Sequence, residues 1–568
     1  MTRRFDGSLC VEQIIGLALA AALALSCQPG SGLPTALPAS APGRDAESPV
    51  PPRLLEGLGS QSHPVETRSP RAQRYFDQGL ILIFGFNHEA AIRAFEEAAR
   101  LDPKCAMCRW GIALALGPNI NAPMGPGAAR RAILELEHAR ELVADSNRAR
   151  EKAYIAALAS RYAKQNPEDR SGLDRAYADS MRELHHADPT DVDAATLFAE
   201  ALMDLYPWAY WTPDAQPREF TQEIIDTLEA VMERAPEHVG ANHYYIHAVE
   251  EFYPEKGEVA ADRLGDLAPD AGHLVHMPSH IYWRVGRYQE AAEINQRATA
   301  ADERYFAWCR PGAFYRAAYY PHNIHFLWAA ASAEGRSDLA LMSARKLAAA
   351  TRPRAKEVPF LQEFVAIPML TLARFARWDA LLAESRPDES EIYLTGIWHY
   401  SRGLAEIRTD AKASAIESLA QLRLISQDGE ATRLIMAGGS ASAARLLEIA
   451  AAHLEGEIAL AEGRSKAAIA ALETAAELHD ALPYMEPPPW YAPPRQILGA
   501  LLLGAGRSSE AEAVYREDLR QYPKNGWSLL GLAQSLRAQG EEAKADWAQR
   551  GFEAAWARAD IELAQSRL

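Results

Sequence analysis

From about residue 70 onward, apolar residues recur with the period of one face of an α-helix. The helical pattern itself returns at intervals of about 34 residues, so one supersecondary unit is used many times. A pair of helices of this size cannot bury its apolar face alone, and stacked neighbours supply the other half of each core. Alanine and leucine dominate the middle and C-terminal parts, which favours helix over strand. The pattern before residue 70 is different. An apolar run from Val11 to Leu25, broken only by Glu12 and Gln13, follows Arg3 and Arg4 and ends in small residues. It is too short for a comfortable membrane span and reads as a signal peptide. From Gln28 to about His63 the chain is rich in Pro, Gly, Ser and Ala, the composition of an extended tether. The expected organisation is a signal peptide over 1–26 and a flexible tether over 27–66. N-terminal repeats with insertions follow over 67–237, histidine-rich repeats over 238–350 and C-terminal repeats over 351–568.

The repeat has a recognisable sequence. Gly79, Ala91, Phe95, Ala98 and Pro103 follow Tyr75 at the spacings of the tetratricopeptide consensus. Gly456, Gly463, Ala468 and Ala475 repeat it, as do Gly499, Gly506, Ala511 and Pro523, and then Trp527, Leu530, Gly531 and Ala543. The chain resembles a tetratricopeptide-repeat (TPR) protein over roughly residues 70 to 555. That resemblance implies an all-α solenoid of stacked TPR helix pairs, with a concave groove lined by the first helix of each pair. The phrases Gly240–Glu250 and Gly272–His280 resemble a bacterial family of repeat lipoproteins, which implies a fold and no activity. Ala24-Leu25-Ser26-Cys27 resembles a bacterial lipobox, in which Cys27 would be lipidated and become the mature N-terminus. Gln28 after that cysteine resembles outer-membrane sorting. The expected location is the cell envelope, lipid-anchored to the outer membrane and facing the periplasm.

Composition narrows the function classes. A chain of 568 residues with 48% hydrophobic residues can bury a long core, so it is neither disordered nor membrane-embedded throughout. The formal net charge of -17 leaves no basic stripe to neutralise phosphates, which argues against a nucleic-acid partner. Cys105 and Cys108 remain after the signal and lipid positions, together with Cys309. Cys105-Ala-Met-Cys108 is followed by Arg109 rather than histidine, so it is not a haem attachment site. The pair suits a structural disulfide in an oxidising envelope, a redox pair, or a soft-metal site such as one for Cu(I).

The histidines are the chemistry-bearing feature. Eight of the sixteen lie between His238 and His325. His243, His247 and Glu250 stand at i, i+4 and i+7, within about 60° of one another on one helix face. His273, His276 and His280 stand at i, i+3 and i+7, and His322 and His325 at i and i+3. The repeat register puts all seven histidines on first-helix positions that, in TPR proteins, face the groove. Adjacent helices lie about 8–10 Å apart. Imidazoles from neighbours can therefore share an ion at roughly 2.0–2.1 Å. A His-rich set with a carboxylate suits copper, iron or zinc. His243, His247 and Glu250 alone form the donor set of a 2-His-1-carboxylate site. Pro278 must start or kink its helix, which bears on whether His273 and His276 share one stripe with His280.

Other features carry less. Asp193, Glu200 and Asp204 fall at groove positions of the preceding unit as groove charges or further ligands. Tyr206, Trp208, Tyr210 and Trp211 precede the histidines, and Tyr305, Trp308, Tyr315, Tyr319 and Tyr320 lie between the second and third groups. They read as packing residues or as a wall beside a metal site. The loop Glu486–Pro494 is aromatic and stiffened by proline, with no assignable chemistry. No phosphate-binding loop, nucleophile elbow or His-Glu-x-x-His motif is present. Three functions fit: an envelope metalloenzyme (copper or iron with oxygen, or zinc hydrolysis), a scaffold whose groove binds a protein or peptide, and metal sequestration or delivery.

Overall fold

The computed structural model describes residues 52–568 except 126, 166, 310–311 and 437–440. The expected signal peptide and the lipidation site Cys27 lie outside the described residues. The described chain is helical almost throughout, and successive helices pack on their sequence neighbours. The two strands named among the described residues are the two-residue pieces Ile435–Met436 and Ala441–Ser442. They pair antiparallel, with Ile435 opposite Ser442 and Met436 opposite Ala441. No described helix is long and apolar enough to cross a membrane.

The chain divides into two compact units. One comprises residues 52–248 with Asp266–Leu274 and Ala301–Ala313; the other comprises Val249–Gly265, Val275–Ala300 and Phe314–Leu568. In the first unit, Ser69 opens the helix Pro70–Phe84 by accepting the Ala72 N–H, and Pro70 fits the first turn because its missing donor has no partner there anyway. Asn87 caps the helix His88–Leu101 through the Ala90 N–H. The Phe95 ring of that second helix is fully buried between two glycines. A Cβ on Gly79 would stand 2.6 Å from the ring, and one on Gly111, in the next helix Ala106–Ala115, would stand 2.5 Å from it. The same device recurs in the second unit. Tyr515 of the helix Ser508–Gln521 lies 2.4 Å from a Cβ on Gly499 of the preceding helix and 2.1 Å from one on Gly531 of the following helix. One ring thus joins a helix pair to its own partner and to the next pair.

An extended strap precedes the first helix. The His63 N–H donates to Asp77 Oδ1 at 3.0 Å, the Val65 N–H to Gln73 Oε1 at 3.0 Å, and the Glu66 N–H to Glu151 Oε1 at 2.9 Å. These side chains take the place of a sheet partner for a segment with no ladder of its own.

Pro278 breaks the histidine stripe. The helix Gly272–His276 ends at Met277, and a new helix runs from Pro278 to Arg284. His276 and His280 still meet across the break, so the expectation that all three share one face is corrected only for His273, which joins His243 and His247 instead.

The glycine notch generates a prediction. Gly111→Ala forces a methyl into the Phe95 ring and is expected to destabilise the protein by about 1–3 kcal/mol. Gly172→Ala, whose Cβ would meet nothing within 4 Å, is the control and leaves stability unchanged or slightly raised. Urea unfolding midpoints of the two variants test the contrast.

Candidate metal centres

The helix Val239–Val249 places His243 and His247 one turn apart, and their Nε2 atoms stand 3.1 Å from each other. His273 joins them: one ring nitrogen from each of the three lies within 4.8 Å of the others. All three belong to the first unit and are buried, at 0%, 4% and 3% exposure. His243 Nδ1 lies 2.5 Å from the carbonyl oxygen of Phe84. A carbonyl only accepts, so Nδ1 carries the proton and a neutral His243 turns the lone pair of Nε2 toward His247. Phe86 packs on the group, its ring centroid 4.7 Å from that of His243 and 5.8 Å from that of His273. Its backbone is left-handed, at a φ of 55°, a conformation uncommon for a residue with a side chain. The edge of Trp208 closes on His247 at 4.9 Å.

The second unit holds a group of the same form. His276 and His280, on either side of Pro278, have Nε2 atoms 3.1 Å apart, and His322 Nε2, from the helix Tyr319–Ala333, stands 3.4 Å from His280 Nε2. His276 and His280 are buried and His322 is half-buried. His276 Nδ1 lies 2.7 Å from Asn295 Oδ1. The amide of Asn295 is oriented by its own donor, since Nδ2 donates to the Ala291 carbonyl at 2.7 Å. Its oxygen therefore faces His276, which puts the proton on Nδ1 and the lone pair on Nε2. His280 Nδ1 lies 2.7 Å from Glu250 and 3.3 Å from Glu486. Carboxylates accept, so Nδ1 of His280 is protonated as well.

Two neutral imidazoles anchored in this way oppose lone pair to lone pair at 3.1 Å. That contact repels unless a cation lies between the nitrogens. In the absence of an ion the cation is a proton. Burial works against charge on His280, but Glu250 and Glu486 overcome it and raise the imidazole to about 10. Burial pushes the Glu486 carboxyl up, with His280 and Arg284 pulling against it. The Tyr484 hydroxyl donates to Glu486. A metal entering this group would have to displace the shared proton, so its binding would be proton-coupled. The spacing suits such an ion: ligands at about 2.1 Å in a tetrahedral arrangement stand about 3.4 Å apart.

Several expectations change. The seven histidines do not line an open groove: six are buried and His322 is half-buried. Glu250 is not grouped with His243 and His247 but forms an ion pair with the far nitrogen of His280, the position of a residue that orients a ligand. His325 joins neither group. Its ring stacks on Trp328 at 5.3 Å and meets the edge of Phe364, and burial lowers its imidazole to about 3. Cys105 and Cys108 form a buried disulfide, so their thiolates are not available as soft-metal ligands. Asp193 serves the strap: His63 Nδ1 approaches it at 2.7 Å and His238 Nε2 at 3.1 Å. Asp191 lies beside them, but Arg150 at 2.8 Å and the Tyr154 hydroxyl at 2.9 Å already hold it. Asp204 pairs with buried Arg161. Asn295 and Glu486 escaped the sequence reading. An isolated asparagine has no signal, and Glu486 had only its place in a stiff aromatic loop.

These features define an all-α helical-repeat protein with histidine groups inside its units. The model for a tetratricopeptide repeat matches residues 72–105, which span most of the helix pair Pro70–Phe84 and His88–Leu101. No curated relative matches it. Among solved structures, it aligns with the human IFIT1 dimer with m7Gppp-AAAA at 11% identity and a TM-score of 0.29, covering 88% of this chain and 92% of that one. The APC/C hetero-tetramer Cut9-Hcn1 aligns at 11% identity and 0.28, with 86% and 90% covered. Naa15/Naa10 bound to HypK-THB aligns at 12% and 0.22, with 86% and 90% covered. Overlays this loose carry no argument about ligands. As a class, stacked helical repeats present extended surfaces suited to protein partners.

His325 supplies a prediction outside the two groups. Its folded pKa lies below the value near 6.5 of the unfolded chain. The unfolded state therefore binds the extra proton, and stability falls as pH drops from 6.5 toward 3, by up to about 1.4 kcal/mol per pH unit. His325→Phe should show a flatter loss of stability over that range than the wild type. Unfolding midpoints measured from pH 7 to 4 check it, and parallel curves would rule it out.

Proposed function

We propose that the protein is a metal-binding TPR protein of the cell envelope, in which two trios of histidines each hold one transition-metal ion. His243, His247 and His273 form one trio; His276, His280 and His322 form the other. The observation that carries this reading is the facing of Nε2 atoms at 3.1–3.4 Å while the Nδ1 atoms of His243, His276 and His280 are tied to acceptors. Histidine ligands of metals characteristically donate their second ring nitrogen to a carbonyl or carboxylate. Three imidazoles leave a fourth position for water or a substrate oxygen, the arrangement of catalytic rather than closed structural sites. Copper, iron and zinc all accept such a donor set. A partner-binding role for the histidines has less support, because six of the seven are buried rather than displayed. Protein partners would instead use other surfaces of the repeats, and a lipid at Cys27 would hold the chain at the outer membrane.

Metal content by mass spectrometry on untagged protein, reconstituted separately with copper, iron and zinc, tests the reading. About two equivalents of one metal are expected in the wild type, one in His247→Ala, one in His280→Ala and none in the double variant. Wild type that stays empty with all three metals would sink the proposal. A finer test concerns Asn295. Asn295→Leu releases the His276 ring and should weaken one of the two sites about 10–100-fold while sparing the other. A chelator competition titration reads the two affinities separately.

A further inference from the structure

After the helix Glu542–Ala555 the chain runs on to Leu568 without helix or strand, and it turns back across helices that precede it, all within the second unit. Asp560 accepts the N–H groups of Ser337 and Asp338 at 2.7 and 3.0 Å, at the start of the helix Ser337–Thr351. The Gln534 side chain, on the helix Gly526–Ala538, donates to the Ala564 carbonyl at 2.8 Å. Ser566 reaches the helix Pro494–Gly504, where its hydroxyl donates to the Gln496 carbonyl at 2.6 Å. Arg567 reaches the helix Ala443–Ala461, where Nη1 donates to Glu457 Oε1 at 2.6 Å. The stretch Ala564–Arg567 thus lies across successive repeats, as a bound peptide would.

The receiving groups suit a particular side-chain pattern. Tyr515 passes its ring between Gly499 and Gly531, and its hydroxyl stands 2.6 Å from Ser566 Oγ. The Ser566 proton goes to Gln496, so Tyr515 donates. Glu457 is 3% exposed and also takes Arg408, whose Nη2 donates to Oε2 at 3.0 Å. Burial opposes charge on Glu457, but His453, Arg567 and Arg408 hold its carboxyl below the usual range. A buried carboxylate beside a fixed tyrosine hydroxyl matches a serine followed by an arginine. The segment itself is lightly held. Of residues 557–568, Ser566 alone is buried, and segments with so little buried surface open at low free-energy cost. The fit is also incomplete. A cavity of about 240 Å³ beside Gln565 and Arg567 is walled by Leu460, Ile469, Ala500 and Leu501, with Ser465 its one hydroxyl. Gln565 is exposed and polar, a poor match to apolar walls.

We propose that this surface is a peptide-recognition site for a partner protein, occupied in this structure by the chain's own segment Ala564–Arg567. The partner that fits it presents a large apolar residue, a serine and an arginine in succession, the apolar side chain filling the cavity beside Gln565. A segment tethered in cis competes at roughly millimolar effective concentration. A partner must therefore bind better than the segment does, and the apolar position supplies the difference. The inference does not rest on the metal reading, which concerns other residues.

Fluorescence anisotropy of an acetylated, amidated peptide of residues Glu562–Leu568 on full-length protein tests it. Full-length Ser566→Ala/Arg567→Ala, whose own segment competes poorly, is expected to bind the peptide roughly 10-fold more tightly than the wild type. Arg567→Glu in the peptide should abolish binding, because it sets a carboxylate against Glu457. Gln565→Phe in the peptide should raise affinity about 10-fold by burying a ring in the cavity. Both changes are in the probe and leave folding untouched. No binding to the double variant at millimolar peptide, equal binding to double variant and wild type, or indifference to Arg567→Glu would each overturn the proposal. No gain from Gln565→Phe would overturn the apolar position. Sedimentation of the wild type reads the other occupant: a dimer that is lost in the double variant would put the segment of a second copy in the site instead.

Discussion

A helical repeat array depends on how closely its helices approach, and here a large ring set into a glycine notch decides that distance. Phe95 between Gly79 and Gly111, and Tyr515 between Gly499 and Gly531, leave no room for even one methyl group on the glycine side. Each ring touches the helix before it and the helix after it, so one side chain sets two spacings. Interiors packed to this density do not deform smoothly. Residues carried on such helices are therefore held at reproducible positions, which buried ligand groups require.

Burying imidazoles is costly unless each nitrogen has an assigned role. The protein meets this with acceptors placed behind the rings: the Phe84 carbonyl for His243, Asn295 for His276, and Glu250 with Glu486 for His280. For His243 and His276 the acceptor fixes a tautomer whose Nε2 lone pair faces another histidine, while His280, flanked by two carboxylates, holds the proton. The two trios differ in what stands behind them. The first has a neutral carbonyl and an aromatic shell of Phe86 and Trp208. The second has two carboxylates and a half-buried third histidine. Carboxylate acceptors make the imidazole a stronger donor and add negative charge, so the two sites would hold ions of different charge preference.

The repeat was legible because its signal is local and recurs: glycine, alanine and aromatic positions keep their spacing whatever lies between units. The helical pairing of His243 with His247 was legible for the same reason, since residues four apart on a helix always meet. The assignment of Glu250 was not. Its spacing from His247 is that of a shared face, yet it serves His280, because the helix Val239–Val249 ends one residue before it. Likewise, i+7 spacing joined His273 to His280 only on the assumption of an unbroken helix. Pro278 announced the break, but not which histidine would go to which group.

The helix pairs, their stacking by repetition, and a concentration of imidazoles in three short segments are all written in the order of residues along the chain. These follow from side-chain periodicity and backbone preference within a few residues. Packing is what buries the imidazoles, sorts them into two trios and sets Glu486 behind His280. It also brought Arg567 to Glu457 across more than a hundred residues of chain. Those outcomes depend on which helices come to lie side by side after packing, and no short stretch of sequence contains that distance.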